Sequence, residues 1–99
     1  MIDWTQFEGF DWDDGNAREN EKHAVSMAEC EQLFFNAPLL ILVDEKHSVL
    51  EPRLHALGKT DDGRNLHITF TLREAGKLIR VISASDMHRK EKMIYEQPR

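Results

Sequence analysis

Three strand-length segments joined by two short turns occupy residues 53–84 and limit the possible folds more than any other feature of the chain. The segments Arg53–Lys59, Asn65–Arg73 and Lys77–Ala84 alternate apolar and polar side chains, which is typical of strands with one buried face. Thr60–Gly63 and Glu74–Gly76 contain the glycine that tight turns favour. The sequence therefore predicts an antiparallel β-meander.

The segments outside the meander predict three helices and two further strands. In chain order these are a strand at Gly9–Trp12, a helix from Asp13 or Asp14 to about Lys22, a helix from Ser26 to about Phe35, a strand at Leu39–Val43, a polar loop at Asp44–Pro52 and a helix from Met87 to about Glu96. Ser26 and Glu29 form a capping-box pattern, and Asp86 is expected to cap the last helix. The order β-α-α-β-β-β-β-α predicts an α+β fold, with two N-terminal helices and one C-terminal helix on a small antiparallel sheet.

Length and cysteine content predict the general class of the protein. Ninety-nine residues are expected to form one domain over residues 1–99. The single cysteine, Cys30, excludes an internal disulfide and suits a reducing cytoplasm. It lies on the predicted apolar stripe of the second helix with Met27, Leu33 and Phe34, so we expect it in the core. No apolar run is long enough to cross a membrane, and the first residues lack the features of a signal peptide, so no membrane partner is expected.

The net charge of −5 is unevenly distributed along the chain. Residues 1–50 carry eleven acidic and three basic side chains, whereas residues 51–99 carry seven acidic and ten basic ones. This asymmetry predicts two surfaces with different partners, although charges on a solvated surface explain it equally well. The overall charge is not that of a generally basic nucleic-acid binder.

Several polar side chains are expected on one face of the meander. If its apolar residues face the helices, then Arg53, His55, His67, Thr69 and Arg80 converge on the opposite, open face. Arg80 lies in a strand that is otherwise apolar, and a guanidinium is costly to bury without a partner. It is therefore either a structural ion-pair residue or a group that binds an anion.

This set of residues has the components needed to cleave RNA without a metal ion. Arginine binds phosphate through paired donors, and histidine accepts or donates a proton near neutral pH. The five histidines and Cys30 are not at close metal-ligand spacings, so no metal and no other cofactor is expected. A solvated sheet face that bears His, Thr and Arg is the alternative explanation, and the pattern alone favours it.

Short motifs in consistent order, from about Phe10 to Tyr95, resemble the BrnT family of toxins from type II toxin–antitoxin systems. The segments that carry the resemblance are Phe10-Asp11-Trp12-Asp13, Asn20-Glu21-Lys22-His23 with Val25, Ala28 with Phe34 and Phe35, Asp44 with His47, Arg53 with Ala56-Leu57-Gly58, Arg64, Ile79-Arg80-Val81-Ile82-Ser83-Ala84, and Glu91 with Tyr95. The sequence departs from the family pattern at Ala24, where glycine is usual, at Pro52, where glutamate is usual, and at Ser85, where arginine is usual.

The resemblance implies a RelE-like fold and a small, metal-independent endoribonuclease that inhibits growth in the cytoplasm. It also implies a ribbon-helix-helix antitoxin, similar to BrnA, as a partner. Such a complex represses its own operon, so operator DNA is contacted only through the antitoxin, and RNA is the substrate. Each of these expectations follows from the family rather than from composition or spacing.

The residues expected at the site fall into two groups. The catalytic candidates are Arg53, His55, His67 and Arg80, and the substrate-binding candidates are Arg64, Lys22 and His23. His23 also closes the first predicted helix, where a positive charge favours the helix dipole. Glu91 and Tyr95 are expected to anchor the last helix. The absence of an arginine at position 85 and the net acidity support an alternative, a non-catalytic module that binds a DNA-binding partner.

Overall fold

Five strands and three helices make up the part of the chain that the computed structural model describes, which is residues 7–47 and 51–98. They are β1 (Gly9–Phe10), α1 (Asp14–Glu21), α2 (Met27–Phe35), β2 (Leu40–Val43), β3 (Arg53–Lys59), β4 (Asn65–Arg73), β5 (Leu78–Asp86) and α3 (Arg89–Tyr95). None of these helices is long and apolar enough to cross a membrane. The initial residues and part of the predicted loop, residues 48–50, lie outside the described residues.

The strands form one sheet in the order β1-β5-β4-β3-β2. The neighbours from β2 to β5 pair antiparallel, which confirms the predicted meander. The sheet as a whole is mixed rather than the small antiparallel sheet that was predicted, because β1 pairs parallel to β5. β1 lies along the edge of β5 that β4 leaves unpaired, where the Phe10 ring also contacts Phe34 in the core.

The alternation of side chains along β4 produces the core as predicted. Leu66, Ile68 and Phe70 are fully buried on one face, against the apolar side of α2. Cys30 and Leu33 of α2 are also fully buried, which confirms that Cys30 is a core residue. Apolar burial of this kind supplies most of the free energy that holds a helix on a sheet.

Both N-terminal helices begin at predicted capping residues. The Asp13 carboxylate accepts hydrogen bonds from the backbone N–H groups of Gly15 and Asn16, at 2.9 and 3.1 Å. The Ser26 hydroxyl accepts from the Glu29 backbone N–H, and the Glu29 carboxylate accepts from that of Ser26. These bonds satisfy backbone donors that have no partner within the first helical turn.

Two details at the N-terminal side differ from the prediction. Met27 is 46% exposed, so it does not belong to the buried stripe of α2, which consists of Cys30, Leu33 and Phe34. Trp12 lies outside β1, which ends at Phe10, and its indole N–H donates a hydrogen bond to Glu31 on α2.

Helix α3 covers part of the sheet face that was expected to be open. Its Tyr95 packs with Met87 against Leu57 of β3, with Leu40 of β2 beside them. The Tyr95 hydroxyl also donates a hydrogen bond to the Pro38 carbonyl at 2.6 Å, which confirms its anchoring role. The polar face is therefore open only beyond this apolar cluster.

The end of β5 and the start of α3 also differ from the prediction. β5 continues to Asp86, and the Met87 N–H donates to the Asn65 carbonyl, so the backbone is still extended at the position where a helix was predicted. α3 begins after His88, whose backbone N–H donates to the Glu91 carboxylate. Asp86 is not a cap because its carboxylate is bonded to Arg64.

Arg64 links three elements through its guanidinium. It donates two hydrogen bonds to Asp86, at 2.7 and 3.0 Å, and further bonds to the Glu29 carboxylate and the Ala24 carbonyl. The hydrogen bond from Arg64 lowers the pKa of Asp86. The Ser26 backbone and then Arg64 lower the pKa of Glu29. This cluster fastens the β3–β4 hairpin to β5 and to the start of α2.

Replacing Arg64 with methionine is expected to lower the free energy of unfolding at pH 7 by about 1 kcal/mol, a value kept small because solvent screens these carboxylates. Asp86 and Glu29 have lower pKa values in the folded than in the unfolded chain. Their contribution is therefore complete above pH 4.5 and is lost as the pH falls through the folded pKa values. Urea unfolding at pH 7 and pH 3 measures the effect. An equal difference between variant and wild type at both pH values contradicts this account.

Candidate active site

Two histidine side chains meet at the centre of the polar face of the sheet. His55 on β3 pairs with Thr69, and His67 lies two residues before Thr69 on β4, so the histidines are diagonal cross-strand neighbours. The Nδ1 atom of His55 is 2.9 Å from the Nε2 atom of His67 and 3.1 Å from the Thr69 hydroxyl. The convergence predicted from alternation is thus present for these two residues.

Each histidine is also bonded to a carboxylate on its outer side. His55 Nε2 lies 3.0 Å from Asp44, the residue after β2, and His67 Nδ1 lies 2.6 Å from Glu91 on α3. The four side chains form a continuous hydrogen-bonded series, Asp44–His55–His67–Glu91, which we call the relay. A carboxylate that accepts from one ring nitrogen fixes the orientation of the imidazole and the tautomer it adopts.

The relay is shielded from solvent but still accessible. The side chains of His55 and His67 are 27% and 22% exposed. Burial lowers the pKa of His67, Glu91 opposes this shift, and His55 and His88 lower the pKa further. His67 is therefore kept neutral at pH values where an ordinary histidine begins to gain a proton, which suits a group that accepts protons.

The two catalytic-candidate arginines lie in the next row of the same sheet face. Thr71 on β4 pairs with Arg53 on one side and with Arg80 on the other, one row away from the His55–Thr69 pair. A bulge in β5, opposite Thr69 and Phe70, lets Ser83 pair with Thr69. The backbone positions of the two arginines therefore lie on the same sheet face as the histidines, one row away.

Arg80 already has anionic partners. Its guanidinium donates to the Asp13 carboxylate at 2.8 Å and lies 3.5 Å from that of Asp11. The Asn16 backbone and then Arg80 lower the pKa of Asp13. Arg80 also borders an open groove of about 470 Å³ between α1 and β5, and the side chain of its partner Asp13 is 55% exposed, so this ion pair is accessible to solvent.

The three substrate-binding candidates lie apart from the relay. Arg64 is held by carboxylates on the side of the sheet that α2 covers. Its partner Glu29 is on α2, and its partner Asp86 pairs with Leu66, whose side chain lies on the core face. The carbonyl of His23 lies 3.5 Å from the Arg64 guanidinium, in the turn after α1. Lys22 precedes it and is exposed. The structure thus groups Arg64 with the Lys22–His23 turn but does not bring either of them to His55 and His67 in the relay.

Asp44 and Glu91 were not assigned to the site from the sequence. In the sequence Asp44 stands out only as part of a family motif, and Glu91 only as an anchor of the last helix. They lie 11 and 24 residues from their histidines, so no local spacing connects them. The sequence signal that could have identified Asp44 is its position directly after β2, a strand that pairs with the strand of His55. Within residues 7–47 and 51–98, no group of three or more His, Cys, Asp or Glu side chains is arranged to hold a metal ion.

Comparison with known proteins identifies one family. Residues 12–91 match the family model described as "Ribonuclease toxin, BrnT, of type II toxin-antitoxin system". This match confirms the resemblance inferred from the short motifs and covers most of the chain. No curated protein matches the sequence.

Proposed function

The chain belongs to the BrnT family, the ribonuclease toxins of type II toxin–antitoxin systems, and from this premise we propose that it is a metal-independent endoribonuclease with His55 and His67 at its catalytic centre. Membership in the family implies an RNA target and an antitoxin partner. The observation that carries the proposal is the direct contact of the two histidines on an accessible sheet face beside two arginines.

The chemistry needs one group that accepts a proton and one that donates a proton. One histidine removes the proton of a 2′-hydroxyl, and that oxygen attacks the adjacent phosphorus. The bond from phosphorus to the 5′-oxygen breaks, and the other histidine protonates the leaving oxygen. The products are a 2′,3′-cyclic phosphate and a free 5′-hydroxyl, and no metal ion takes part in either proton transfer.

Arg53 and Arg80 stabilise the charge that builds on the phosphate oxygens during this attack. Both flank Thr71, one row from the histidines, and Arg80 exchanges its exposed partner Asp13 for the phosphate. Arg64 and the Lys22–His23 turn are assigned to the edge of the RNA-binding surface, as the family motif suggests.

The partner is proposed to be a ribbon-helix-helix antitoxin similar to BrnA, which contacts operator DNA while the toxin does not. The α+β layout with its central meander supports a RelE-like fold. We propose the cytoplasm as the place of action, since an RNA target and an antitoxin partner are both expected there. The acidic balance of residues 1–50 fits a basic partner.

Replacing Arg80 with glutamine is expected to lower the rate of RNA cleavage about 10²- to 10³-fold, because a donor to the developing charge is lost. The purified chain is assayed on RNA in excess EDTA, where the wild type is expected to remain fully active. Arg73→Gln is the matched control, since Arg73 also pairs with Asp11 and Glu51. Loss of wild-type activity in EDTA, restored by Mg²⁺, contradicts the metal independence. Full activity of the Arg80 variant contradicts the role of Arg80.

One observation favours a second candidate function, a non-catalytic module that holds a DNA-binding partner. The ion pairs of Arg80 with Asp13 and Asp11 are those expected of a structural arginine. Expression of the chain alone in bacteria separates the two functions. Growth arrest with loss of mRNA supports the ribonuclease, whereas normal growth supports the module.

A further inference from the structure

The hydrogen bonds of the relay need more protons than two neutral histidines supply. It contains three hydrogen bonds: Asp44 to His55, His55 to His67, and His67 to Glu91. Each bond needs one proton between its two heavy atoms. Two neutral imidazoles bring one N–H each, and two carboxylates bring none. One additional proton therefore completes the series.

The position of the Thr69 hydroxyl favours one location for this additional proton. His55 Nδ1 is within hydrogen-bond distance of both His67 Nε2 and the Thr69 oxygen. A deprotonated Nδ1 has a single in-plane lone pair, which two donors cannot share well. A protonated Nδ1–H can be shared between two acceptors, so the geometry favours His55 as the imidazolium. His67 then keeps its proton on Nδ1, toward Glu91, and presents the lone pair of Nε2.

We propose that Asp44 and Glu91 are positioning residues that keep the relay singly protonated, so that His55 is the general acid and His67 the general base. This inference rests on the proposed function and deepens it. Asp44 stabilises the imidazolium of His55 through Nε2, and Glu91 fixes the tautomer of His67. When RNA binds, the two imidazole rings separate. The 2′-hydroxyl then contacts Nε2 of His67, and the leaving oxygen contacts Nδ1 of His55.

The proposed proton count is conserved through the reaction. His67 Nε2 gains the proton of the 2′-hydroxyl, and His55 Nδ1 gives its proton to the leaving oxygen. The relay then carries its extra proton on His67. When the product leaves, the rings meet again at 2.9 Å and the proton returns directly to His55. The catalyst is thereby reset without exchange of a proton with solvent.

The groups around the relay are consistent with this assignment. His55 faces Asp44, Thr69 and His67, whereas His67 faces Glu91 and, through that carboxylate, His88. The next row of the same sheet face carries Arg53 and Arg80. Burial lowers the pKa of His67 in spite of Glu91, which agrees with a neutral base.

Nitrogen-15 NMR of the imidazoles in the whole chain tests the proton count without any RNA. At neutral pH we expect both nitrogens of His55 to be protonated, and His67 to be protonated only at Nδ1. Two neutral histidines, or a proton on His67 Nε2, overturn the assignment. In Asp44→Asn the extra proton is expected to leave at a lower pH than in the wild type, because the neighbouring charge is lost. Asp61→Asn, whose partner is Asn36, is the matched control.

The pH dependence of cleavage tests the two positioning roles separately. The wild type is expected to show a bell-shaped profile, with an acid limb from protonation of His67 and an alkaline limb from loss of the shared proton. Asp44→Asn is expected to move the alkaline limb to lower pH, and Glu91→Gln the acid limb to lower pH, because Glu91 raises the pKa of His67. Glu31→Gln, outside the relay, is expected to leave both limbs in place.

The two proposals fail in different ways. Unshifted limbs in Asp44→Asn and Glu91→Gln overturn the positioning roles while the ribonuclease stands. The expected NMR pattern in a chain that cleaves no RNA at any pH overturns the acid and base roles together with the ribonuclease, but leaves the proton count in place.

Discussion

Replacing His67 with glutamine is expected to lower the rate of RNA cleavage by about 10²- to 10⁴-fold, which is the usual contribution of a positioned general base. Glutamine keeps a polar group near His55 but cannot take up the proton of a 2′-hydroxyl. Cleavage of a defined RNA in a single turnover measures the chemical step. The loss should be largest near neutral pH, where His67 is neutral in the wild type because burial lowers its pKa.

His88→Gln is the control for this replacement. His88 is 67% exposed and touches Glu91 from outside the relay, so its removal leaves the contact between His55 and His67 intact. We expect activity within a factor of about three of the wild type, and closely similar melting temperatures for both variants, since neither side chain is in the core. A His67 variant that cleaves within tenfold of the wild type contradicts the role of His67 as the base.

The meander was predictable because its signal is local. Strands β3 and β4 begin and end at the predicted residues, Arg53–Lys59 and Asn65–Arg73. A period of two with one fully apolar face excludes a slip by one residue, which would turn that face to solvent, and the short turn between the strands limits the larger slips. The same alternation placed His55 and His67 on a shared face before any distance was known.

The features that the sequence did not reveal depend on contacts between distant segments. The parallel pairing of β1 involves two residues on each strand, too few for any pattern. α3 packs on the polar side of the sheet through Leu57, which breaks the alternation expected of an open face. The relay carboxylates come from a loop and from that same helix, so neither could be assigned until its packing was known.

The structure shows the surroundings of two residues that depart from the family pattern. Ala24, where glycine is usual, has a φ of 54°, in the left-handed region that glycine adopts more easily. Ser85, where arginine is usual, pairs directly with His67 across β4 and β5. An arginine at this position would add a positive charge beside the relay, so serine favours retention of the shared proton while removing one contact for phosphate.

Replacing Leu33 with alanine is expected to destabilise the protein by about 2–5 kcal/mol, the largest stability loss that we predict. Leu33 is fully buried where α2 meets the sheet, and truncation leaves a cavity there. At about 4–8 °C per kcal/mol for a chain of this size, the melting temperature should fall by roughly 8–40 °C. Leu42→Ala is the matched control, because Leu42 is 39% exposed and should cost well under 1 kcal/mol.

The neighbour of Leu33 on the sheet provides a sharper test of this contact. A Cβ atom added at Gly58 would lie 2.8 Å from Leu33 Cγ and 3.2 and 3.3 Å from its methyl carbons. Gly58→Ala alone should therefore cost about 1–3 kcal/mol through overpacking. In the double variant the new methyl group enters the space that Leu33→Ala vacates, so the combined loss should be smaller than the sum by about 0.5–3 kcal/mol. Strictly additive losses in urea unfolding would contradict the close contact of Gly58 with Leu33, because residues in contact are expected to be coupled.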